Sequence, residues 1–188
     1  ITDKKWDGAH EEGRRTQIRA NLDLRPLNTF VYQTHEPIPT PEELRHDLRG
    51  SNKYSSLDMI HSFHQFVLEE DARKLFCFRA PGGLFRFKRL CMGSSPASSE
   101  AHKRIKKVVA GLEGVLQIKD DVLVHGVGEE HDRRLRAVLE RFREAGLTLR
   151  REKCHLGKSD VKWFGMIFSA EGMSPDPEKT SLIQNWPA

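Results

Sequence analysis

Three aspartates stand where carboxylates are hard to explain as ordinary surface charge. Asp120 and Asp121 are consecutive, and short apolar segments flank them, 115–118 before and 122–125 after. Asp58 stands at the end of the segment 54–59, which reads as another buried strand. Aspartate favours turns, so an exposed pair at a hairpin tip is cheap. Burying adjacent carboxylates beside apolar strands is costly unless cations neutralise them. Three carboxylates at the ends of neighbouring strands form a hard-oxygen donor set for a pair of Mg²⁺ ions about 4 Å apart, with Mn²⁺ as a second candidate. That arrangement clamps the attacking and leaving oxygens in phosphoryl transfer. Zinc suits the chain less: the nine histidines show no close ligand spacing with cysteine, and His61 and His64 form only an i, i+3 pair.

The elements that must position these acids can be read from periodicity. Residues 1–17 are polar and predict a loop, and 17–24 alternate apolar with polar, the period of a strand. Pro37, Pro39 and Pro41 bar regular structure until a short helix over 42–48, capped at Thr40. A buried strand is expected over 54–59. Segments 76–79 and 84–90 flank Pro81-Gly82-Gly83 as a β-hairpin, and 115–118 with 122–125 form a second one, with Lys119, Asp120 and Asp121 at its tip. A helix capped at Ser98 or Ser99 turns Ile105, Val108, Val109 and Leu112 inward and Lys103, Arg104, Lys106 and Lys107 outward. A second helix over 129–145 turns Leu135, Val138, Leu139, Phe142 and Ala145 inward, with Gly146 after its end. Strands follow within 161–168. The class is α+β, an antiparallel sheet backed by two helices.

Composition agrees with a globular unit. The chain has 188 residues, 37% of them hydrophobic and 31% charged. No apolar run approaches the ~18 residues of a membrane span, and the N-terminus lacks the apolar core and cleavage site of a signal peptide, so neither membrane insertion nor secretion is expected. Cys77, Cys91 and Cys154 are far apart and odd in number, which fits a reducing compartment rather than a disulfide framework. The net charge is +4, but between Arg73 and Lys107 ten Lys/Arg accompany a single acid, Glu100. Such a stretch either attracts a polyanion or forms a solvated face.

Six segments, taken together, resemble the reverse transcriptase of gypsy-type long-terminal-repeat retrotransposons. They are IRANLDLRPLN (18–28), YSSLDMIHSFHQFVL (54–68), GGLFRFKRL (82–90), IKDDVLVHG (118–126), LTLRREKC (147–154) and WFGMIFSAEGMSPDPEK (163–179). They follow the family's order and spacing from about Trp6 to the last residue. The resemblance implies the fingers and palm of a right-hand polymerase. Residues 1–32 and 66–96 would be partial fingers, 33–65 and 97–171 palm, and 172–188 the start of a thumb connection.

Carried over position by position, Asp58, Asp120 and Asp121 match the metal-binding catalytic aspartates, the last two from the family's Tyr-x-Asp-Asp hairpin. Arg19 matches a fingers arginine at the incoming triphosphate, and Lys4 or Lys5 lies near a fingertip lysine. Phe63, five residues after Asp58, matches the aromatic gate that excludes a 2′-hydroxyl; a core role is the alternative. Lys153 matches a lysine that protonates departing pyrophosphate, with a solvated lysine after Arg150 and Arg151 as the alternative, and Trp163, Phe164 and Gly165 resemble the primer grip, although packing explains the two aromatics as well. The chain departs from the pattern at four places. Ile118 replaces the hairpin tyrosine, Lys119 brings a cation beside the acids, Ser62 replaces a glycine, and 89–102 lacks the usual Pro-Phe-Gly and Ala-Pro-x-x-Phe pattern, which puts Met92 in the nucleotide pocket.

The resemblance implies an RNA-directed DNA polymerase using two Mg²⁺ ions (or Mn²⁺), dNTPs and a primed RNA or DNA template, as a fragment of a Pol polyprotein whose thumb and RNase H lie elsewhere. Its expected setting is intracellular, in cytoplasm, virus-like particles or nucleus, with no membrane partner. Two other readings share the paired acids: a domesticated or decayed palm that binds nucleic acid or a protein without catalysis, and an RNA-dependent RNA polymerase palm. The RNA polymerase reading does not account for Phe63 or the segment beginning at Trp163.

Overall fold

A computed structural model describes residues 22–32 and 36–184. The N-terminal loop and residues 17–21 of the expected first strand, with Lys4, Lys5 and Arg19, lie outside the described residues. The described part of that strand, 22–24, is not extended into a ladder; it leads into a short helix, α1 (Arg25–Asn28), with Pro26 in its first turn. Proline's fixed φ suits that position and opposes a continuing strand. Among the described residues, 22–32 and 63–98 form one compact unit and 36–62 and 99–184 another.

In the first unit, α3 (Glu70–Arg73) precedes a hairpin of β2 (Cys77–Ala80) and β3 (Gly83–Arg86). Ala80 pairs with Gly83, so the turn is Pro81-Gly82 and Gly83 belongs to the strand. Leu24, Phe76 and Cys91 form the buried core of this unit, with Leu22, Leu27, Leu68 and Phe87 packed against it.

The second unit begins with α2 (Pro41–Asp47), whose start is set by local chemistry. Thr40 Oγ1 accepts the Glu43 amide at 3.3 Å while the Glu43 carboxylate accepts the Thr40 amide at 2.7 Å. This reciprocal cap, with Pro41 in the first turn, meets the expectation for the helix start. The main sheet has four antiparallel strands in the order β4 (Val115–Ile118), β5 (Asp121–Gly126), β1 (Lys53–Asp58), β6 (His155–Lys158). Central β5 is sealed on both faces, with Val122, Leu123 and Val124 fully buried. A second sheet follows in chain order: β7 (Asp160–Trp163), β8 (Met166–Ser169) and β9 (Gly172–Pro175). Leu44, Leu48, Tyr54, Ile118, Leu123, Val161, Trp163 and Phe168 share one core cluster. The final helix is α6 (Pro177–Gln184).

Two long helices accompany the main sheet. Helix α4 (Ala97–Val109) starts at Ala97, before the serines expected to cap it; the Ala97 amide bonds to the Ser94 carbonyl, so Ser98 and Ser99 are inside the helix. Its buried face is Ala97, Ala101, His102, Ile105 and Val109. Helix α5 (Gly128–Glu144) buries His131, Val138 and Phe142, whereas Leu139 and Ala145, expected inward, are exposed. A single stripe along the helix meets the sheet; Leu139 lies off it, and Ala145 is the C-cap residue past the helix end. Buried His131 links α5 to β1. Its Nε2 lies 2.9 Å from Ser55 Oγ and its Nδ1 lies 3.0 Å from Asp132 Oδ1, while Lys53 Nζ bonds Asp132 at 2.8 Å. This serine–histidine–aspartate series has the order of a hydrolytic triad, but Ser55 and His131 are wholly buried, so its work is to lock the helix to the strand. Among the described residues no helix is long and apolar enough to cross a membrane.

Candidate active site

Asp58 is the last residue of β1 and Asp121 the first of β5, and the ladder places them directly opposite each other. The Asp58 amide donates to Cys154 Sγ at 3.4 Å, and its carbonyl accepts the Arg150 amide at 2.8 Å. Both backbone groups therefore face away from β5, which makes Asp58 and Asp121 a non-hydrogen-bonded pair. In such pairs the Cα atoms approach to about 4.5 Å and the side chains are closest. Two carboxylates opposite each other on one face repel. The Asp121 carboxyl is accordingly pushed above the ordinary carboxylate range, first by desolvation, then by the charges of Asp120 and Asp58, while the Lys153 ammonium pulls it back.

Asp120 sits in the turn. Ile118 pairs with Asp121, so the connection is the two residues Lys119 and Asp120, and Asp121 belongs to the strand rather than to the tip expected for it. Two-residue hairpins favour turns with positive φ at the first position, where glycine or asparagine normally serves. Lys119 adopts φ 56 there. Its amide donates to buried His102 Nδ1 at 3.1 Å, and the Gln117 side-chain amide bonds both the His102 carbonyl (3.1 Å) and the Lys119 carbonyl (2.7 Å). Burial lowers the His102 pKa, which favours the neutral ring this acceptor role requires. On the other side, Ser62 Oγ donates to Asp120 Oδ2 at 3.0 Å. Ser62, His102 and Cys154 were not predicted to support the acids; a buried Ser and His at these positions carry no periodic sequence signal.

Among the described residues no group of three His, Cys, Asp or Glu side chains is close enough to hold a metal ion as a ready-made cage. Mg²⁺ does not require one: it keeps several waters and binds through one or two carboxylates together with substrate phosphates. A cross-strand pair of carboxylates, with a third beside it, is a hard-oxygen donor set of that kind, and its internal repulsion is what a cation would relieve.

The other predicted residues have distinct surroundings. Phe63 is half-buried in a 3₁₀ turn over Ser62–Gln65, whereas nearby Phe66 is the buried aromatic. Met92 is exposed. Lys153 ends a second 3₁₀ turn, Arg151–Lys153. Trp163 is a core residue, and its indole N–H is buried with no partner among the described residues. Phe164 (φ 48) and Gly165 (φ 79) form the two-residue turn between β7 and β8, which leaves the Phe164 ring exposed. A bulky residue in the left-handed region carries strain.

The basic stretch is more compensated than its sequence count implies. Arg73 and Arg86 pair with Glu70, Lys74 with Asp71, and Lys103 and Lys106 approach Glu36 at 3.9 and 4.0 Å. Each of those acids lies outside the stretch.

Comparison with known proteins shows the family and the fold. Residues 4–168 match the family model "Reverse transcriptase (RNA-dependent DNA polymerase)". The chain is 31% identical over 175 residues to the uncharacterized protein K02A2.6 of Caenorhabditis elegans, covering 93% of this chain and 14% of that protein. It is 28% identical over 172 residues to the transposon Tf2-3 polyprotein of Schizosaccharomyces pombe, covering 90% of this chain and 13% of the polyprotein. The chain thus spans about one-seventh of the curated relatives it matches. Among solved structures, a foamy viral protease-reverse transcriptase in complex with double-stranded DNA superposes with TM-score 0.82 at 20% identity, covering 90% of this chain and 30% of that one. The same type of protein in complex with an RNA/DNA hybrid gives 0.77 at 20% identity, over 88% of this chain and 23% of that one. The fold is that of reverse transcriptase fingers and palm, and the chain belongs to the reverse transcriptase (RNA-dependent DNA polymerase) family.

Proposed function

We propose that this chain is the fingers-and-palm part of an RNA-directed DNA polymerase, which transfers deoxynucleotides to the 3′-hydroxyl of a primer paired with an RNA or DNA template. The observation that carries the reading is the facing pair Asp58 and Asp121 with Asp120 beside them, in a chain of this family. Residues 1–32 and 66–96 act as fingers, 33–65 and 97–171 as palm, and 172–188 lead toward a thumb within a Pol polyprotein.

Two Mg²⁺ ions held by Asp58 and Asp120, with Asp121 alongside, would supply charge neutralisation at the attacking and leaving oxygens. The protein's own groups do the rest. Lys153, whose charge acts on Asp121, is the proton donor to departing pyrophosphate. Arg19 balances the triphosphate charge, Met92 lines the nucleotide pocket, and Phe63 closes the space a 2′-hydroxyl would need. Trp163 anchors the primer-grip turn from the core, where it is buried, while exposed Phe164 beside Gly165 meets the primer.

Primer extension on an RNA template by the polyprotein that carries this chain tests the reading. Addition of dNTPs should require Mg²⁺ or Mn²⁺ and stop with a chelator. Template binding without any extension would overturn it in favour of a palm that binds nucleic acid without catalysis.

A further inference from the structure

We infer that Ser62 and His102 are positioning residues that hold the turn carrying Asp120 from two sides, and that metal binding at Asp120 depends on this grip. The inference rests on the proposed role of Asp120 as a metal ligand. Ser62 acts on the carboxylate itself, through the 3.0 Å bond from its hydroxyl to Oδ2. It is 4% exposed, so its hydroxyl has little access to bulk water, and the left-handed His61 (φ 47) immediately precedes it. His102 acts on the backbone, accepting the amide of Lys119, the residue before Asp120. Lys119 needs such support because its φ of 56 is uncommon for a residue with a side chain.

The chemistry favours orientation over competition. A carboxylate oxygen has two lone pairs, so Oδ2 can accept the serine proton and still face a cation, while Oδ1 keeps both of its own. Hydrogen bonds from outside the ligand shell that fix a ligating carboxylate are typically worth 10–100-fold in metal affinity.

The test is Mn²⁺ titration of the 188-residue chain, with free ion followed by electron paramagnetic resonance and folding monitored by thermal melting. Ser62→Ala should weaken Mn²⁺ binding about tenfold or more. In an Asp120→Asn background the same substitution should have no further effect, because the bonded carboxylate is gone. His102→Leu should weaken binding, and His102→Asn, whose side-chain oxygen can stand near Nδ1, should restore much of it. Affinity within twofold of wild type for Ser62→Ala, or an equal loss with and without Asp120, would overturn the inference while leaving the metal site intact. Failure of the wild-type chain to bind Mn²⁺ would overturn the metal reading, and this inference with it.

Discussion

Asp58 and Asp121 face each other across the two central strands of the main sheet, with no backbone hydrogen bond between them and their carboxylates on the same face. The register of the ladder brings these charges together, and nothing in the ladder itself gains from it. Like charges directly opposite cost stability. Under the proposed function, a bound cation would relieve that cost.

Asp121→Asn should therefore stabilise the metal-free chain, by up to about 1 kcal/mol in denaturant unfolding. The gain is limited because Asp121 remains open to solvent. Its carboxyl binds protons more tightly folded than unfolded, so this group's contribution to stability is full at low pH and declines as pH rises through the folded-state pKa. A loss of stability in Asp121→Asn would show that the pair is not in conflict.

At His125 the pH dependence runs the opposite way, and stability should fall on mild acidification. Buried His125 has its pKa lowered from 6.5 to about 4, chiefly by desolvation and then by the charge of Arg134. The unfolded chain takes up the proton first, so stability is full above about pH 6.5 and is lost as pH falls toward 4, on the order of 3 kcal/mol in total. Unfolding curves between pH 7 and 5 should be flatter for His125→Gln than for wild type. Equal slopes would remove His125 as the cause.

Much of the scaffold was legible because its determinants are local. Thr40, Pro41 and Glu43 define a helix start within four residues, and Pro81-Gly82-Gly83 marks a hairpin turn, one residue longer than the Pro81-Gly82 turn observed. The support of the acids was not legible, because it joins residues far apart: Ser62 reaches Asp120 and Cys154 meets Asp58 across 58 and 96 positions. The place of Asp121 was missed for another reason. A tight turn through Lys119 requires a conformation normally reserved for glycine or asparagine, so the pattern suggested a wider tip. In α5, counting every apolar position as inward enlarged the buried stripe to include Leu139.

Nucleic-acid binding should weaken with salt, since phosphate contacts release counterions. Replacing Lys103, Arg104, Lys106 and Lys107 together by Gln should lower the slope of log affinity against log salt by about 0.9 per lost phosphate contact on duplex DNA. Because Lys103 and Lys106 already approach Glu36, the drop should fall short of four contacts. An unchanged slope would assign this helix face to solvent.

Phe63 separates a sugar gate from a packing role. Phe63→Val should raise ribonucleotide use relative to deoxynucleotide use, by roughly tenfold if the ring's clash is worth about 1.4 kcal/mol. A core residue would instead lose up to a few kcal/mol of stability and lower both activities together. The melting temperature and the dNTP-to-rNTP ratio, measured on the same variant, tell these apart.

The most direct test of the account is Mg²⁺-dependent extension of a primer on RNA by Asp120→Asn beside wild type, with template affinity measured on both. The substitution keeps an acceptor for the Ser62 hydroxyl but removes the charge that a cation needs. Extension should be lost while template binding stays within a few-fold of wild type. Extension by Asp120→Asn at the wild-type rate would contradict the assignment of these aspartates to catalysis.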